Sequence, residues 1–195
     1  MTERFEKQMS FIIEVDRLKS IIRQSYLADG SRRENDSEHS WHLALMAFVL
    51  CEHAKNEIDV LKVIKMVLIH DIVEIDAGDT YAYDEKGNED KYMREVQAAE
   101  RIFSLLPEDQ AQEMRGLWEE FEVRETNEAK FAAALDRVQP IILNYMSEGK
   151  AWIDHGISRG QVEKRNEHTK EGSMALWDYV VEIMDKAVKS GYLTS

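Results

Sequence analysis

The chain has 195 residues, 44% apolar and 32% charged, with nine Gly, two Pro and one Cys. This is a globular composition rich in helix formers, and a lone thiol excludes an internal disulfide. A formal net charge of −13 argues against long nucleic acids as partners, because phosphate contacts need a basic footprint. It leaves room for a small anionic substrate, since a metal ion and a few local Arg or Lys can make a positive pocket inside an acidic protein.

The N-terminus Met1-Thr2-Glu3-Arg4-Phe5-Glu6-Lys7 has no apolar segment behind it, so no signal peptide is read. No apolar run approaches the ~18–20 residues that span a bilayer. The expectation is a cytoplasmic protein with no membrane partner. Phe5, Met9, Ile12, Ile13, Leu18, Ile21 and Ile22 recur at helical spacing and predict a helix over 4–27. Polar residues 28–35 break it, and Asp36 or Ser37 caps the next helix, through Trp41, Leu45 and Phe48 to about Ala54. A central helix is expected over 60–76, then a polar loop to about Asn88. Further helices are expected over 89–106 and 107–125, and a long one over 128–147 kinked at Pro140. After a glycine-bearing loop at 148–160, helix returns from about 159 to 190. Leu176, Val180, Ile183 and Val188 there suit the core or a dimer face. Neither an internal repeat nor period-two alternation is evident. The fold class is all-α, with residues 1–195 as one domain on which the C-terminal helices pack.

The informative stretch is Val67-Leu68-Ile69-His70-Asp71-Ile72-Val73-Glu74. On a helix, Val60, Leu61, Ile64, Val67, Leu68 and Ile75 form a buried stripe along which Asp71 points, while His70 and Glu74 stand i, i+4 on its edge. A carboxylate aimed into a core costs several kcal/mol unless something positive meets it, and a metal ion is the economical partner. Asp136 repeats the anomaly inside Phe131-Ala132-Ala133-Ala134-Leu135. His39 shares a face with Leu43, Met46 and Leu50. Two imidazoles and two carboxylates, His39, His70, Asp71 and Asp136, make an N/O donor set suited to Mn, Fe, Co, Ni, Zn or Mg.

The order Glu38-His39, His70-Asp71, Asp136 is similar to the H…HD…D signature of HD-domain metal-dependent phosphohydrolases. The strings Arg33-Glu34-Asn35-x-Ser37-Glu38-His39-Ser40, His70-Asp71-x-x-Glu74-x-x-x-Gly78-Asp79 and Leu117-Trp118-Glu119-Glu120-Phe121-Glu122 resemble its 5′-deoxynucleotidase branch, over about residues 10–146. The resemblance implies an HD-type helical bundle and one divalent ion held by His39, His70, Asp71 and Asp136. It also implies hydrolysis of (deoxy)nucleoside 5′-monophosphates to nucleoside and phosphate. Glu74 would orient or deprotonate the attacking water, and Asp79 would contact the sugar or assist proton transfer. Arg23 and Arg33 are the candidate phosphate ligands, with Arg32, Lys91, Arg94 and Arg137 as further cations. Gln24 and the loop Thr80-Tyr81-Ala82-Tyr83-Asp84 depart from the family pattern where base and sugar would be read. A homodimer fits the family habit. The competing expectations are a hydrolase of another phosphate ester, a two-metal HD enzyme, and a metal-stabilised module that binds nucleotide without turnover.

Overall fold

The computed structural model describes the backbone of residues 1–195 and every side chain except that of Glu85. Helix α1 (Glu3–Glu14) is capped by the Thr2 hydroxyl, which accepts from Phe5 N. It passes into a 3₁₀ segment, Val15–Ser20, and then into strand β1 (Ile22–Tyr26), paired antiparallel with β2 (Arg33–Asn35). The helix expected over 4–27 is therefore cut short. The decisive signal is Asp29-Gly30. Gly30 adopts φ +68°, Ser31 N donates to the Asp29 carboxylate, and Leu27 N donates to the Arg32 carbonyl, closing a hairpin. The hairpin turns Arg23, read as helical, into a strand residue beside the start of the next helix.

Helix α2 (Asp36–Leu50) begins with a reciprocal cap between Asn35 and Glu38. Asn35, not Asp36 or Ser37, is the capping residue, and this frees Asp36 to point inward. Helix α3 (Val60–Ile69) is capped by Asp59. It stops seven residues before the expected end: residues 70–73 form a turn, and α4 (Glu74–Ala77) is a separate short helix closed at Gly78. Leu61 and Leu68 of the expected stripe are exposed, whereas residues 69–75 are buried without exception. One face of a continuous helix cannot bury seven consecutive residues, and the chain coils tightly into the core instead.

Next come α5 (Glu85–Asn88), α6 (Lys91–Phe103), α7 (Glu108–Val123) and α8 (Asn127–Met146). Helix α8 runs unbroken through Pro140, which deprives the Asp136 carbonyl of its usual donor four residues on. Within the expected 148–160 loop lies α9 (Lys150–Asp154). The expected helix over 159–190 is in three pieces: α10 (Arg159–Asn166), α11 (Thr169–Gly172) and α12 (Met174–Ser190). Gly172 lies so close to the Lys130 carbonyl of α8 that no Cβ fits between them.

Helices α2, α3, α11 and α12 surround α8 and build one apolar cluster around Phe131, Leu135 and Val138, into which Leu176, Val180 and Ile183 also pack. A second cluster gathers Phe11, Ile72, Ile102, Phe103 and Trp118 from α1, the 70–73 turn, α6 and α7. Each fully buried large side chain contributes about 1.5–3 kcal/mol. Among the described residues, no helix is long and apolar enough to cross a membrane.

Candidate metal centre

His39 comes from the first turn of α2, His70 and Asp71 from the end of α3, and Asp136 from the middle of α8. They converge. Asp136 Oδ1 stands 3.1 Å from His39 Nε2 and 3.7 Å from His70 Nε2. Asp71 Oδ1 is 3.1 Å from His70 Nε2, and Asp71 Oδ2 is 3.9 Å from His39 Nε2. Donor atoms of His39, His70 and Asp136 all lie within 4.8 Å of one another. Both imidazoles are buried at 0% and 5% exposure.

The ring nitrogens facing away from this cluster are fixed by the fold. Gln139, one turn beyond Asp136, donates its amide to Glu34 Oε1 at 2.7 Å, so its carbonyl oxygen is the atom 3.0 Å from His39 Nδ1. That oxygen can only accept, which puts the ring proton on Nδ1 and the lone pair of His39 Nε2 in the cluster. His70 Nδ1 likewise donates to the Val67 carbonyl at 2.9 Å. Its Nε2 is buried and, although 3.1 Å from Asp71 Oδ1, makes no well-directed hydrogen bond among the described residues. The two inward imidazole nitrogens and the Asp136 carboxylate, with Asp71 beside them, form a donor set that fits a divalent cation, and the outward hydrogen bonds are those typical of metal-binding histidines.

Beside this set lies a second group. Asp36, Asp71 and Glu74 bring carboxylate oxygens within 4.8 Å of one another. Arg23 bridges it, 2.7 Å from Asp71 Oδ2 and 3.0 Å from Asp36 Oδ1. Asp36 Oδ2 and Glu74 Oε2 are buried and unpartnered. The Glu74 geometry differs from the expected i, i+4 pairing with His70. Because the helix breaks at residue 70, Glu74 joins Asp71 and Asp36 instead.

The charge balance follows from the packing. Burial and the Arg23 charge pull His39 down to about 4. Burial would lower His70 too, but Asp71 and Asp136 lift it to about 10. Burial works against the charge on Asp71, yet His70 and Arg23 hold it below the usual carboxylate range. Glu74 is pushed well above its ordinary value by burial and by Asp71 and Asp36. Glu34 and Asp36 rise to about 7, chiefly by burial. The buried carboxyls outnumber the cations beside them, and a divalent ion restores the balance.

The centre floors a cavity of about 420 Å³ whose wall includes Arg23, Asp79, Tyr81, Lys91, Glu122 and Arg137. Asp79 thus stands at the same cavity as Glu74, with its carboxyl raised by burial. Arg33 is not among the lining residues; its guanidinium sits 5.7 Å from the centroid of the Tyr26 ring. Arg32 pairs with Glu38, and Arg94 with Asp90. Phe121 lines the cavity with its ring 4.8 Å from His70, and Trp118 is buried in the core. The sequence pattern does not mark Asp36, Gln139 or Arg165 as site residues, and it reaches Tyr81 only as part of the 80–84 loop. The three-residue offsets of Asp36 from His39 and of Gln139 from Asp136 were the available signals for two of them.

The HD domain family model matches residues 15–177. The chain belongs to the HD domain family. Its HD domain is similar to 5′-deoxynucleotidase HDDC2 of Homo sapiens, at 33% identity over 135 residues, which are 69% of this chain and 65% of that protein. The mouse counterpart gives the same identity and 66% of its length. The match thus spans just under two thirds of these relatives. A crystal structure from Magnetospirillum magnetotacticum, described as a predicted metal-dependent phosphohydrolase, shares 52% identity. It superposes with a TM-score of 0.95 over 98% of this chain and 96% of that one. A protein from Pyrococcus horikoshii, 21% identical, has the same fold with a TM-score of 0.61 over 93% of this chain and 99% of its own.

Proposed function

We propose that this chain, acting as one HD domain, is a divalent-metal-dependent phosphohydrolase that converts (deoxy)nucleoside 5′-monophosphates to nucleoside and phosphate. The observation that carries this reading is the buried Nε2 of His70, without a well-directed hydrogen bond, beside Asp71, Asp136 and the lone pair of His39, at the floor of a nucleotide-sized cavity. Relatives named 5′-deoxynucleotidase and a structural neighbour described as a metal-dependent phosphohydrolase support it. His39, His70, Asp71 and Asp136 would hold the ion, and their N/O donor set suits Mn, Co, Fe, Ni, Zn or Mg.

When bound, the ion supplies charge neutralisation at the phosphoryl group and a water of lowered pKa. Glu74, with a free buried oxygen, orients the attacking water and, in its ionised form, takes its proton. Arg23 fixes Asp71 and presents its remaining N–H groups to the phosphate. Asp79 hands a proton to the departing 5′ oxygen as the bond from phosphorus to that oxygen breaks. The Tyr81 and Tyr83 rings, 5.4 Å apart on the cavity wall, offer stacking surface for the base. The lone thiol is consistent with a cytoplasmic protein. Exposed Trp41, Leu45 and Phe48 on one face of α2 support a homodimer.

The test is phosphate release from deoxy- and ribonucleoside 5′-monophosphates with the metal varied, beside Glu74→Ala. We expect metal-dependent release that falls about 10²–10⁴-fold in the variant with bound metal retained. No release from any monophosphate with any metal overturns the reading.

A further inference from the structure

A second, more open cavity of about 830 Å³ adjoins the first, and Tyr83, Arg124, Arg137 and Arg165 line both. In a chain of net charge −13, three arginines and Lys164 gather around this antechamber. Among the described residues, none of these four has an acidic side chain within 4.0 Å, although most other arginines of the chain do. Glu122 and Glu171 also line the antechamber, without pairing to them.

The arginines come from three separate elements, the end of α7, the middle of α8 and α10. Each is half-buried. Arg137 keeps a buried Nε with no partner. Arg165 is held in place by one bond to the Ala82 carbonyl, at 3.0 Å, and by the Tyr83 ring, 5.8 Å away. Burial and the neighbouring Arg137 charge lower the Arg165 guanidinium to about 10, so these cations repel one another as they stand. Arg124 occupies a left-handed conformation, φ 57°, at the α7 terminus. Glycine would adopt that conformation without strain, and a side chain there costs about 1 kcal/mol.

Unpaired, mutually repelling, partly desolvated guanidinium groups are stabilised by an anion that bridges them. We propose that Arg124, Arg137 and Arg165 form an anion subsite for a phosphate-class dianion, either a second phosphate carried by the substrate or free inorganic phosphate. The first alternative rests on the nucleotide reading above and deepens it: the nucleoside would lie past Tyr83, with one phosphate at the metal centre and the other at the arginines.

The experiment has two arms on the metal-loaded full chain. Calorimetric titration with inorganic phosphate compares wild type, Arg124→Gln/Arg165→Gln and Arg124→Lys/Arg165→Lys, each checked for an unaltered circular dichroism spectrum and melting profile. We expect the Gln pair to weaken one phosphate-binding event about tenfold or more, and the Lys pair to retain much of it. In the second arm, kcat/KM is measured for a nucleoside 3′,5′-bisphosphate and the matching 5′-monophosphate. A bisphosphate preference that collapses in the Gln pair assigns the subsite to the substrate. Phosphate binding sensitive to the Gln pair, with no bisphosphate preference, assigns it to free phosphate. Phosphate affinity and substrate ratio both unchanged in a folded Gln pair overturn the proposal. The calorimetric arm reads the subsite even if no monophosphate is hydrolysed, so its failure is distinct from that of the proposed activity.

Discussion

Gln139 accepts from His39 Nδ1 at 3.0 Å with its carbonyl oxygen while its amide is committed to Glu34. This buried relay selects the imidazole tautomer, and the ligand face of His39 depends on it. Gln139→Leu keeps the volume but removes the acceptor. Metal affinity is expected to fall about 10–100-fold, as for other groups that orient a metal-binding histidine. Competition with a chromogenic chelator measures it, and an unchanged affinity would show that packing alone holds the ring.

Stripping the ion should destabilise the fold measurably. A ligand present at 100 times its Kd stabilises by about 2.7 kcal/mol, which for a chain of this size is roughly 5–10 °C in Tm. Scanning calorimetry before and after chelation, with metal added back, reads the difference. Asp136→Ala should melt at the same temperature in both conditions if Asp136 is one of the ligands, as proposed.

Gly172 is fixed by proximity. A Cβ there would overlap the Lys130 carbonyl of α8, and Gly172 also accepts from Lys55 N at 2.8 Å. Gly172→Ala forces α11 away from the helix that carries Asp136. The expected cost is about 1–3 kcal/mol, read from urea unfolding, with weaker metal binding as a secondary effect. A neutral result would mean that α11 moves without resistance.

Arg101 joins Glu14 at 2.6 Å and also pairs with Asp76, tying α1 to α6 and α4. The hydrogen bond from Arg101 is the main reason the Glu14 carboxyl lies below its ordinary value. A carboxylate depressed on folding contributes its stability above the unfolded pKa and loses it as pH falls through the folded one. Arg101→Ala should therefore cost about 0.5–1 kcal/mol near pH 7, and the gap to wild type should close below about pH 4. A gap independent of pH would assign the effect to the packing of the Arg101 stem.

What the sequence revealed was the unusual placement of polar groups. His39, Asp71 and Asp136 each interrupt an apolar stripe, and the fold brings both carboxylates within 3.9 Å of the His39 ring. Stretches where two local rules compete were harder to read. Ile21 and Ile22 continue a helical spacing, but the Asp29-Gly30 turn wins and makes a hairpin. Asp36 is a good capping residue by type, yet Asn35 takes the cap because Glu38 completes the reciprocal bond. The break at His70 is hidden because every nearby residue except Asp71 and Glu74 is apolar or ring-bearing and suits a helix equally well. Arg165 lies in a polar stretch, and only the docking of α10 brings it to the cavity.

The two apolar clusters have a consequence for how the molecule comes apart. Val63, Met66 and Val67 of α3 belong to one cluster, while Ile69, Ile72 and Ile75 belong to the other. His70 and Asp71 lie at that crossing, and His39 and Asp136 approach it from the first cluster's side. A cation held by all four would therefore act as a rivet where the two clusters join, beside the α7 residues Leu117, Trp118 and Phe121 that pack into one or both of them. With the rivet in place the halves should melt as one cooperative unit; without it, the half built on α1 and α6 should exchange its amide hydrogens ahead of the half built on α8.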